Sequence, residues 1–196
     1  MGVCHHVRVP SVSLAAAILA GGRARRMDGL DKSRLVVEGR AIIVRQLDAL
    51  RRLTPQVFVV SSDAARFADL GVPLVPDALP GTGALGALYT ALISARADWI
   101  VVIACDMPFI TSAALDQLVA AAARAGGDGA WARSARGVEP LFACYRTAAA
   151  ARLRTLVDAG ERRLAAAGSV LNMRDVDIEA RVLTNVNTPE DYARVQ

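Results

Sequence analysis

Residues 14–35 read LAAAILAGGRARRMDGLDKSRL, an apolar run that stops at two glycines and opens into a cluster of charge. The run Leu14–Leu19 has the length and composition of a buried strand. Gly21 and Gly22 allow the backbone to approach a ligand closely, and successive amide groups in such a loop bind anions. The stretch therefore predicts a first strand that leads directly into an anion-binding loop.

The charged part of this stretch contains Lys32, the only lysine among 23 Lys and Arg residues. An ammonium is a compact point charge, and arginine serves at every other basic position, which favours a phosphate contact here. Arg26 would supply further charge to the same phosphates. The alternative is an ordinary strand-to-helix turn with a solvated charge run. A Walker A loop is excluded, because Asp31 stands where that motif has glycine.

Short apolar runs alternate with segments of helical period along the rest of the chain, a pattern typical of an α/β protein. Two strand-like runs around Arg136 and Gly137 predict a hairpin, and a weaker strand is expected near DVDI (175–178). Further strands are predicted at QVFVVSS (56–62), VPLV (72–75) and WIVVIACD (99–106). Helices are predicted at 41–53, 84–96, 112–125 and 147–159. A last helix is predicted from Thr188, with Pro189 in its first turn and Asp191 in a capping box. The predicted fold is Rossmann-like and single-domain, with a mainly parallel sheet flanked by helices and a C-terminal β-hairpin addition.

Residues 14–196 are expected to form this domain, after a disordered segment 1–13. Within it, residues 14–110 resemble a nucleotide-binding half and 111–196 an acceptor-side half.

Two acidic residues follow predicted strands, Asp77 after VPLV and Asp106 after WIVVIAC. Ligands of open parallel sheets bind at the carboxyl ends of the strands, so both are expected near the basic loop. A carboxylate beside phosphate-binding groups is a suitable Mg²⁺ ligand, which Asp106 would provide. The alternative for Asp106 is a cap of the next helix, a role that Ser112 fills better. Asp77 is equally suited to a turn.

Residues 81–86, GTGALG, match the dinucleotide-binding pattern GxGxxG, and Asp106 follows at about twenty residues. That fingerprint should follow its strand directly, but PDALP intervenes with two prolines. The dinucleotide interpretation is therefore disfavoured.

Composition limits the other classes of function. No apolar stretch approaches the ~20 residues that span a bilayer, and the first residues lack the apolar core of a signal peptide, so a cytoplasmic protein without membrane contact is expected. The three cysteines, Cys4, Cys105 and Cys144, form no CxxC motif, which argues against a disulfide framework and against a zinc site. The only histidines are His5 and His6, expected in a frayed terminus. The net charge is +4, but scattered arginines and few aromatics argue against nucleic acid.

Seven motifs, in this order, resemble the molybdenum cofactor guanylyltransferases, which are MobA-like members of the nucleotidyltransferase fold. They are LAGGRARRMDGLDKSRL (19–35), VPD (75–77), GALGALYTAL (83–92), CDMPF (105–109), EPLFACYR (139–146), GERRL (160–164) and NVNTPED (185–191). The first and last are specific, whereas the middle motifs are shared by many nucleotidyltransferases.

The resemblance implies transfer of GMP from GTP to molybdenum-bound molybdopterin, with release of pyrophosphate. It implies that the backbone of Leu19, Ala20 and Gly21 holds the guanine nucleotide, with Gly22 in the same loop, and that Lys32 binds its phosphates. Asp77 would contact the nucleoside and Asp106 both Mg²⁺ and nucleotide. Arg26 would neutralise the leaving pyrophosphate, so the catalytic set is Arg26, Lys32 and Asp106.

The resemblance also implies that Asn185 and Asn187 face the pterin acceptor, although the residues alone are equally suited to turn and cap positions. A GTPase-like adaptor and molybdoenzyme-maturation proteins are implied as partners. The chain departs from the family at Ser61, Ser62 and Asp63, where asparagines are frequent, and in the loop Gly83–Ala87. Alternatives are a CTP-dependent molybdopterin or sugar-1-phosphate nucleotidyltransferase, a non-catalytic nucleotide-binding adaptor, and an RNA-binding protein.

Overall fold

The computed structural model describes residues 13–21, 26–27, 30–63, 65–135 and 137–196. The strands are β1 (Leu14–Leu19), β2 (Arg26–Met27), β3 (Leu30–Asp31), β4 (Val36–Val37), β5 (Arg40–Ala41), β6 (Val57–Val60), β7 (Leu74–Val75), β8 (Trp99–Ala104), β9 (Gly129–Ser134), β10 (Gly137–Arg146) and β11 (Met173–Asp177). The α-helices are α1 (Ile42–Leu53), α2 (Gly83–Ser94), α3 (Ser112–Ala125), α4 (Ala150–Asp158) and α5 (Pro189–Ala193). Short 3₁₀ turns lie at Lys32–Arg34, Ala65–Leu70, Thr147–Ala149 and Leu164–Ser169. Cys4, His5 and His6 lie outside the described residues.

Seven strands form one sheet in the order β11-β9-β10-β8-β1-β6-β7. β1 pairs in parallel with β6 and β8, and β7 continues in parallel beyond β6. β10 runs antiparallel to both β8 and β9, so the predicted hairpin extends the sheet past β8. The predicted α/β fold with a mainly parallel sheet is confirmed.

The core lies on both faces of the sheet, which is why β1 reads as an unbroken apolar run. Ala16 and Ile18 pack on the side of α1 and α3, and Ala15 and Ala17 on the side of α2 and α4. All four are at most 1% exposed. The small side chains on β1 leave room for helices on both faces at the centre of the sheet.

Helix termini follow the sequence signals with one correction. Thr188 and Asp191 form the predicted capping box of α5, with Pro189 in its first turn. The cap of α3 is Thr111, whose hydroxyl accepts from the Ala114 amide at 3.2 Å, and the prediction that Ser112 caps this helix is wrong. Thr111 has the extended backbone that an N-cap requires, and Ser112 is already the first helical residue.

The GTGALG segment starts α2, and its last glycine has a packing role. A Cβ on Gly86 would lie 1.7 Å from Thr82 Oγ1, and the Thr82 hydroxyl donates to the Leu79 carbonyl at 2.5 Å. Gly86 is therefore explained by the close approach of the turn before its own helix. Among the described residues, no helix combines the length and apolarity needed to cross a membrane.

Candidate functional site

A cavity of about 1360 Å³ opens at the carboxyl ends of β1, β6 and β8. The ends of these strands are held in register, because the Ala20 amide donates to the Val60 carbonyl at 2.9 Å and the Cys105 amide to the Leu19 carbonyl at 3.3 Å. The predicted nucleotide-binding residues that the structure describes all line this cavity: Leu19, Ala20, Gly21, Lys32, Asp77 and Asp106. Gly22 lies outside the described residues. The fold thus brings together residues that are widely separated in sequence.

Lys32 reaches the cavity from the 3₁₀ turn that follows β3. Its side chain is buried, the whole residue being 5% exposed, and its Nζ donates to Asn187 Oδ1 at 3.2 Å. The turn is started by Asp31, whose carboxylate accepts from the Ser33 amide at 3.0 Å and the Ser33 hydroxyl at 2.6 Å. A buried ammonium whose hydrogen-bond partner is a neutral amide is suited to bind an anion.

Asp31 is itself paired with Arg66, a residue that the sequence analysis did not single out. The Arg66 guanidinium donates to both carboxylate oxygens of Asp31, and both residues line the cavity. Burial opposes ionisation of Asp31, but the hydrogen bonds from Arg66 and Ser33 outweigh it and hold its pKa below the usual value. Arg66 also stacks on Phe67, at 4.8 Å from the ring centroid. The pair fixes the turn that carries Lys32.

Asp106 lies in the turn that follows β8, and one of its carboxylate oxygens stands apart from the rest of the described site. Its Oδ1 is buried and receives no hydrogen bond from the described residues. Burial raises the pKa of this carboxyl, while the positive charge of Lys32 opposes the rise. An orphaned buried oxygen is costly unless another group satisfies it, so this carboxylate has the environment of a ligand that awaits a cation.

Asp77 is held at the cavity wall beside α2. Its Oδ1 accepts from the Leu79 amide and from the Thr90 hydroxyl, each at 3.0 Å. Thr90 is buried on α2 and also donates to the Gly86 carbonyl at 2.8 Å. The carboxylate is therefore anchored through one oxygen, in a fixed position against the cavity.

The segment before α5 connects the two charged turns. The Val186 amide donates to the Asp106 carbonyl at 2.9 Å, and Asn187 accepts from Lys32. Neither Asn185 nor Asn187 is among the described residues that line the cavity. The structure thus places Asn187 against Lys32 and leaves Asn185 half-buried beside it.

The structure describes the backbone of Arg26, a predicted catalytic residue, and the thiol of Cys105. Arg26 pairs with Asp31 through the backbone in the β2–β3 ladder, and its side chain lies outside the described part of the chain. Cys105 lines the cavity, but burial raises the pKa of its thiol to about 12, so it stays protonated and is not a thiolate nucleophile.

Arg162 also lines the cavity, and its guanidinium donates to the Gly81 carbonyl, just before α2. Arg162 belongs to the GERRL motif, although the sequence analysis assigns it no role, and no local pattern marks Arg66, which reaches the cavity from the 3₁₀ turn Ala65–Leu70.

The family model described as "MobA-like NTP transferase domain" matches residues 16–174. The chain belongs to this family. It is 39% identical to the probable molybdenum cofactor guanylyltransferase of Chloroflexus aggregans, over 93% of each chain. The predicted family and its enzyme class, the nucleotidyltransferases, are confirmed.

Solved structures agree with the MobA-like assignment. The molybdopterin-guanine dinucleotide biosynthesis protein A of Archaeoglobus fulgidus has a TM-score of 0.78 at 26% identity, over 92% of this chain and 96% of that one. A Mycobacterium tuberculosis protein solved in complex with manganese has a TM-score of 0.69 at 20% identity, over 93% and 97% of the two chains. This second likeness shows the shared fold alone.

Proposed function

We propose that this MobA-like enzyme transfers GMP from GTP to the phosphate of molybdenum-bound molybdopterin and releases pyrophosphate. One observation carries the proposal. Lys32 and a buried oxygen of Asp106 that has no partner among the described residues lie on the same cavity, in a chain of a nucleotidyltransferase family. The names of the relatives supply the guanine nucleotide and the pterin acceptor.

The nucleotide is proposed to lie along the loop after β1. The backbone of Leu19, Ala20 and Gly21 would hold the base and ribose, with Gly22 continuing the loop, and Asp77 would contact the nucleoside from the wall formed by α2. Lys32 would bind the phosphates. Apart from Gly22, which lies outside the described residues, these positions border one cavity that exceeds the size of ordinary small-molecule pockets, about 300–1,000 Å³.

Asp106 is the proposed metal ligand, with Mg²⁺ as the ion. The residues fit this ion, because Mg²⁺ is commonly bound by one or two protein carboxylates together with substrate phosphate oxygens. When bound, the ion would neutralise charge on the phosphates and polarise the phosphorus centre. No cluster of three or more metal-ligating side chains occurs within the described ranges.

In the proposed reaction an oxygen of the acceptor phosphate attacks the α-phosphorus of GTP. The new bond between this oxygen and the α-phosphorus forms as the bond to the β-phosphate oxygen breaks, and that electron pair leaves with pyrophosphate. The nucleophile is already ionised at neutral pH, so the protein needs no general base. Its task is to align two anions and to neutralise their repulsion, with Lys32 in place and Arg26 proposed to assist.

The acceptor is proposed to approach from the side of residues 111–196. Asn187 lies beside Lys32 at this edge of the site, and Asn185 is two residues away. We propose that both contact the pterin. A cytoplasmic location and the adaptor and maturation partners stay predictions from the resemblance.

The experiment that tests the function is pyrophosphate release with Mg²⁺ and molybdenum-loaded molybdopterin, comparing GTP, CTP and ATP. The proposal requires release that is selective for GTP, dependent on the acceptor and lost in Asp106→Ala. Preference for CTP would retain the chemistry and replace the nucleotide. GTP binding without turnover in the wild-type protein would instead favour a non-catalytic adaptor.

A further inference from the structure

Helix α1 presents an apolar face to the sheet, with one buried exception. Its buried residues include Ile43, Leu47 and Leu50, and between them lies Gln46, which is 0% exposed. A glutamine amide in the core must find partners, because leaving its polar atoms unbonded is costly. The partners of Gln46 therefore indicate why the residue is there.

The Gln46 amide bonds to the turn that carries Asp106. Its Nε2 donates to the Ala104 carbonyl at 2.8 Å and to the Met107 carbonyl at 3.0 Å. These two carbonyls stand on either side of the dipeptide Cys105–Asp106. One side chain thus clasps both ends of the turn from the helix beneath it.

Two further backbone groups of the turn form hydrogen bonds with other elements. The Cys105 amide donates to the end of β1, and the Asp106 carbonyl accepts from Val186. The turn is therefore held by the neighbouring strand, by the segment before α5 and, through Gln46, by α1. Gln46 supplies the two bonds that fix the spacing of its ends.

The bonds of Gln46 come with an opposing cost in stability. The Gln46 Oε1 is buried without a partner among the described residues, so the cost of the orphaned oxygen opposes the gain from the two bonds. A methionine would fill a similar volume without the orphaned oxygen, but it would leave the Ala104 and Met107 carbonyls without this donor. What the glutamine adds is the fixed position of these two carbonyls, which indicates a role in placing the turn.

We propose that Gln46 is a positioning residue that fixes the Ala104–Met107 turn and thereby aims the Asp106 carboxylate at the metal and nucleotide. The inference rests on the proposed function for the identity of the ligand. Gln46 itself contacts no substrate in this scheme. Its effect passes through two backbone carbonyls to the side chain between them.

The test compares Gln46→Met with two matched controls on the same helix. Arg45→Met removes a hydrogen bond of 3.0 Å to the neighbouring Pro108 carbonyl, outside the clasped turn. Leu50→Val trims a fully buried side chain that has no bond to the turn, and so reports general loss of core packing. Gln46→Asn, which keeps the amide but is one methylene too short, is the second variant if Gln46→Met does not fold.

Two readouts are independent of turnover. Amide hydrogen exchange of a peptide covering residues 104–108 should be faster in Gln46→Met than in the wild type and both controls, while exchange in β1 is unchanged. Calorimetry should show affinity for the Mg²⁺ complex of α,β-methylene GTP reduced by about tenfold, with affinity for the metal-free nucleotide unchanged. In the turnover assay, kcat/KM for GTP should fall by about tenfold or more, in line with the weaker binding of the Mg²⁺ complex.

Wild-type exchange at 104–108, or wild-type affinity for the Mg²⁺ complex, in a folded Gln46 variant would overturn the proposal. Equal losses in Leu50→Val would overturn it too, because they would assign the effect to core packing. If the wild-type enzyme does not turn over GTP, the proposed function fails. Exchange and binding would then still decide the role of Gln46.

Discussion

Two carboxylates of the same cavity, Asp31 and Asp106, are placed in opposite environments. Asp31 accepts hydrogen bonds from Arg66 and Ser33, and its pKa lies below the usual value despite burial. Asp106 keeps an oxygen to which none of the described residues donates a hydrogen bond, and burial raises its pKa against the opposing charge of Lys32. This difference identifies Asp31 as the structural acid and Asp106 as the acid that is available to a ligand. A satisfied carboxylate stabilises its surroundings, whereas an unsatisfied one is held ready for something that the protein does not supply.

Replacing Asp106 should have the largest effect on activity. Asp106→Asn removes the charge that a cation needs, and kcat is expected to fall by about 10³-fold or more. The same change removes the cost of a buried ionisable group, so the metal-free protein should melt no lower than the wild type, by scanning calorimetry at neutral pH. Turnover within tenfold of wild type would end the assignment of Asp106.

Replacing Lys32 with arginine should come next. Lys32→Arg preserves the charge, but a planar guanidinium does not fit a space that an ammonium fills beside Asn187. We expect kcat/KM for GTP to fall by about 10²-fold. Steady-state pyrophosphate release measures this, and Arg34→Lys on the same turn, a partly exposed position, is the control. Full activity in Lys32→Arg would mean that any cation suffices.

Asp31→Asn should have a smaller and mainly structural effect. The variant leaves Arg66 with a weaker partner and loosens the turn beneath Lys32, so a loss of about 0.5–1 kcal/mol in the free energy of unfolding is expected after solvent screening. Urea denaturation measures it. Activity should fall by about tenfold through misplacement of Lys32. A loss of activity as large as in Asp106→Asn would erase the contrast between the two acids.

The pH dependence of stability should carry opposite signs at the two sites. The lowered pKa of Asp31 means that its stabilisation is present above the unfolded value of 3.8 and is lost as pH falls through the folded value. The raised pKa of Asp106 means that the metal-free protein loses stability as pH rises from 3.8 through the folded value. Urea titrations of Asp31→Asn and Asp106→Asn at several pH values should each remove one of these slopes. Adding Mg²⁺ and nucleotide should abolish the Asp106 slope alone.

The smallest effect on activity is expected at the cap of α3, which touches neither acid. Thr111→Ala should cost about 1 kcal/mol, because the Ala114 amide loses its acceptor, whereas Ser112→Ala should change stability by a few tenths. Thermal melts of the two variants give the comparison. Neither should alter turnover, which sets the baseline for a polar change that is structural only. A larger loss in Ser112→Ala would restore that residue as the cap.

The sequence predicted the elements with strong local signals, and it predicted the residues that follow strands. The apolar runs that became β1 and β8, and the capping box of α5, needed only periodicity and residue type. Lys32 was marked by its rarity, and Asp106 by its place after a buried strand. Parallel pairing of β1 and β8 places the loop after β1 and Asp106 at one edge of the sheet, and Lys32 reaches that edge from the turn after β3.

Residues whose role depends on tertiary contact were not predictable in the same way. Arg66 lies in a short 3₁₀ turn, and no local sequence pattern indicates that it pairs with Asp31. Gln46 is one polar residue in an amphipathic helix, and its importance appears only when the turn after β8 is seen above it. The choice of Thr111 over Ser112 depended on backbone dihedral angles, which adjacent hydroxyl residues do not reveal.

The hydrogen bond between Lys32 and Asn187 joins residues that are 155 positions apart. During synthesis the sheet around β1 and β8 can therefore assemble well before the ammonium of Lys32 meets its partner. A nascent chain that ends before Val186 contains the turns that carry Lys32 and Asp106, but it does not yet contain the segment that bonds to both of them. Competence for the proposed chemistry is thus expected late in synthesis, because Asn187 is made after all seven strands of the main sheet.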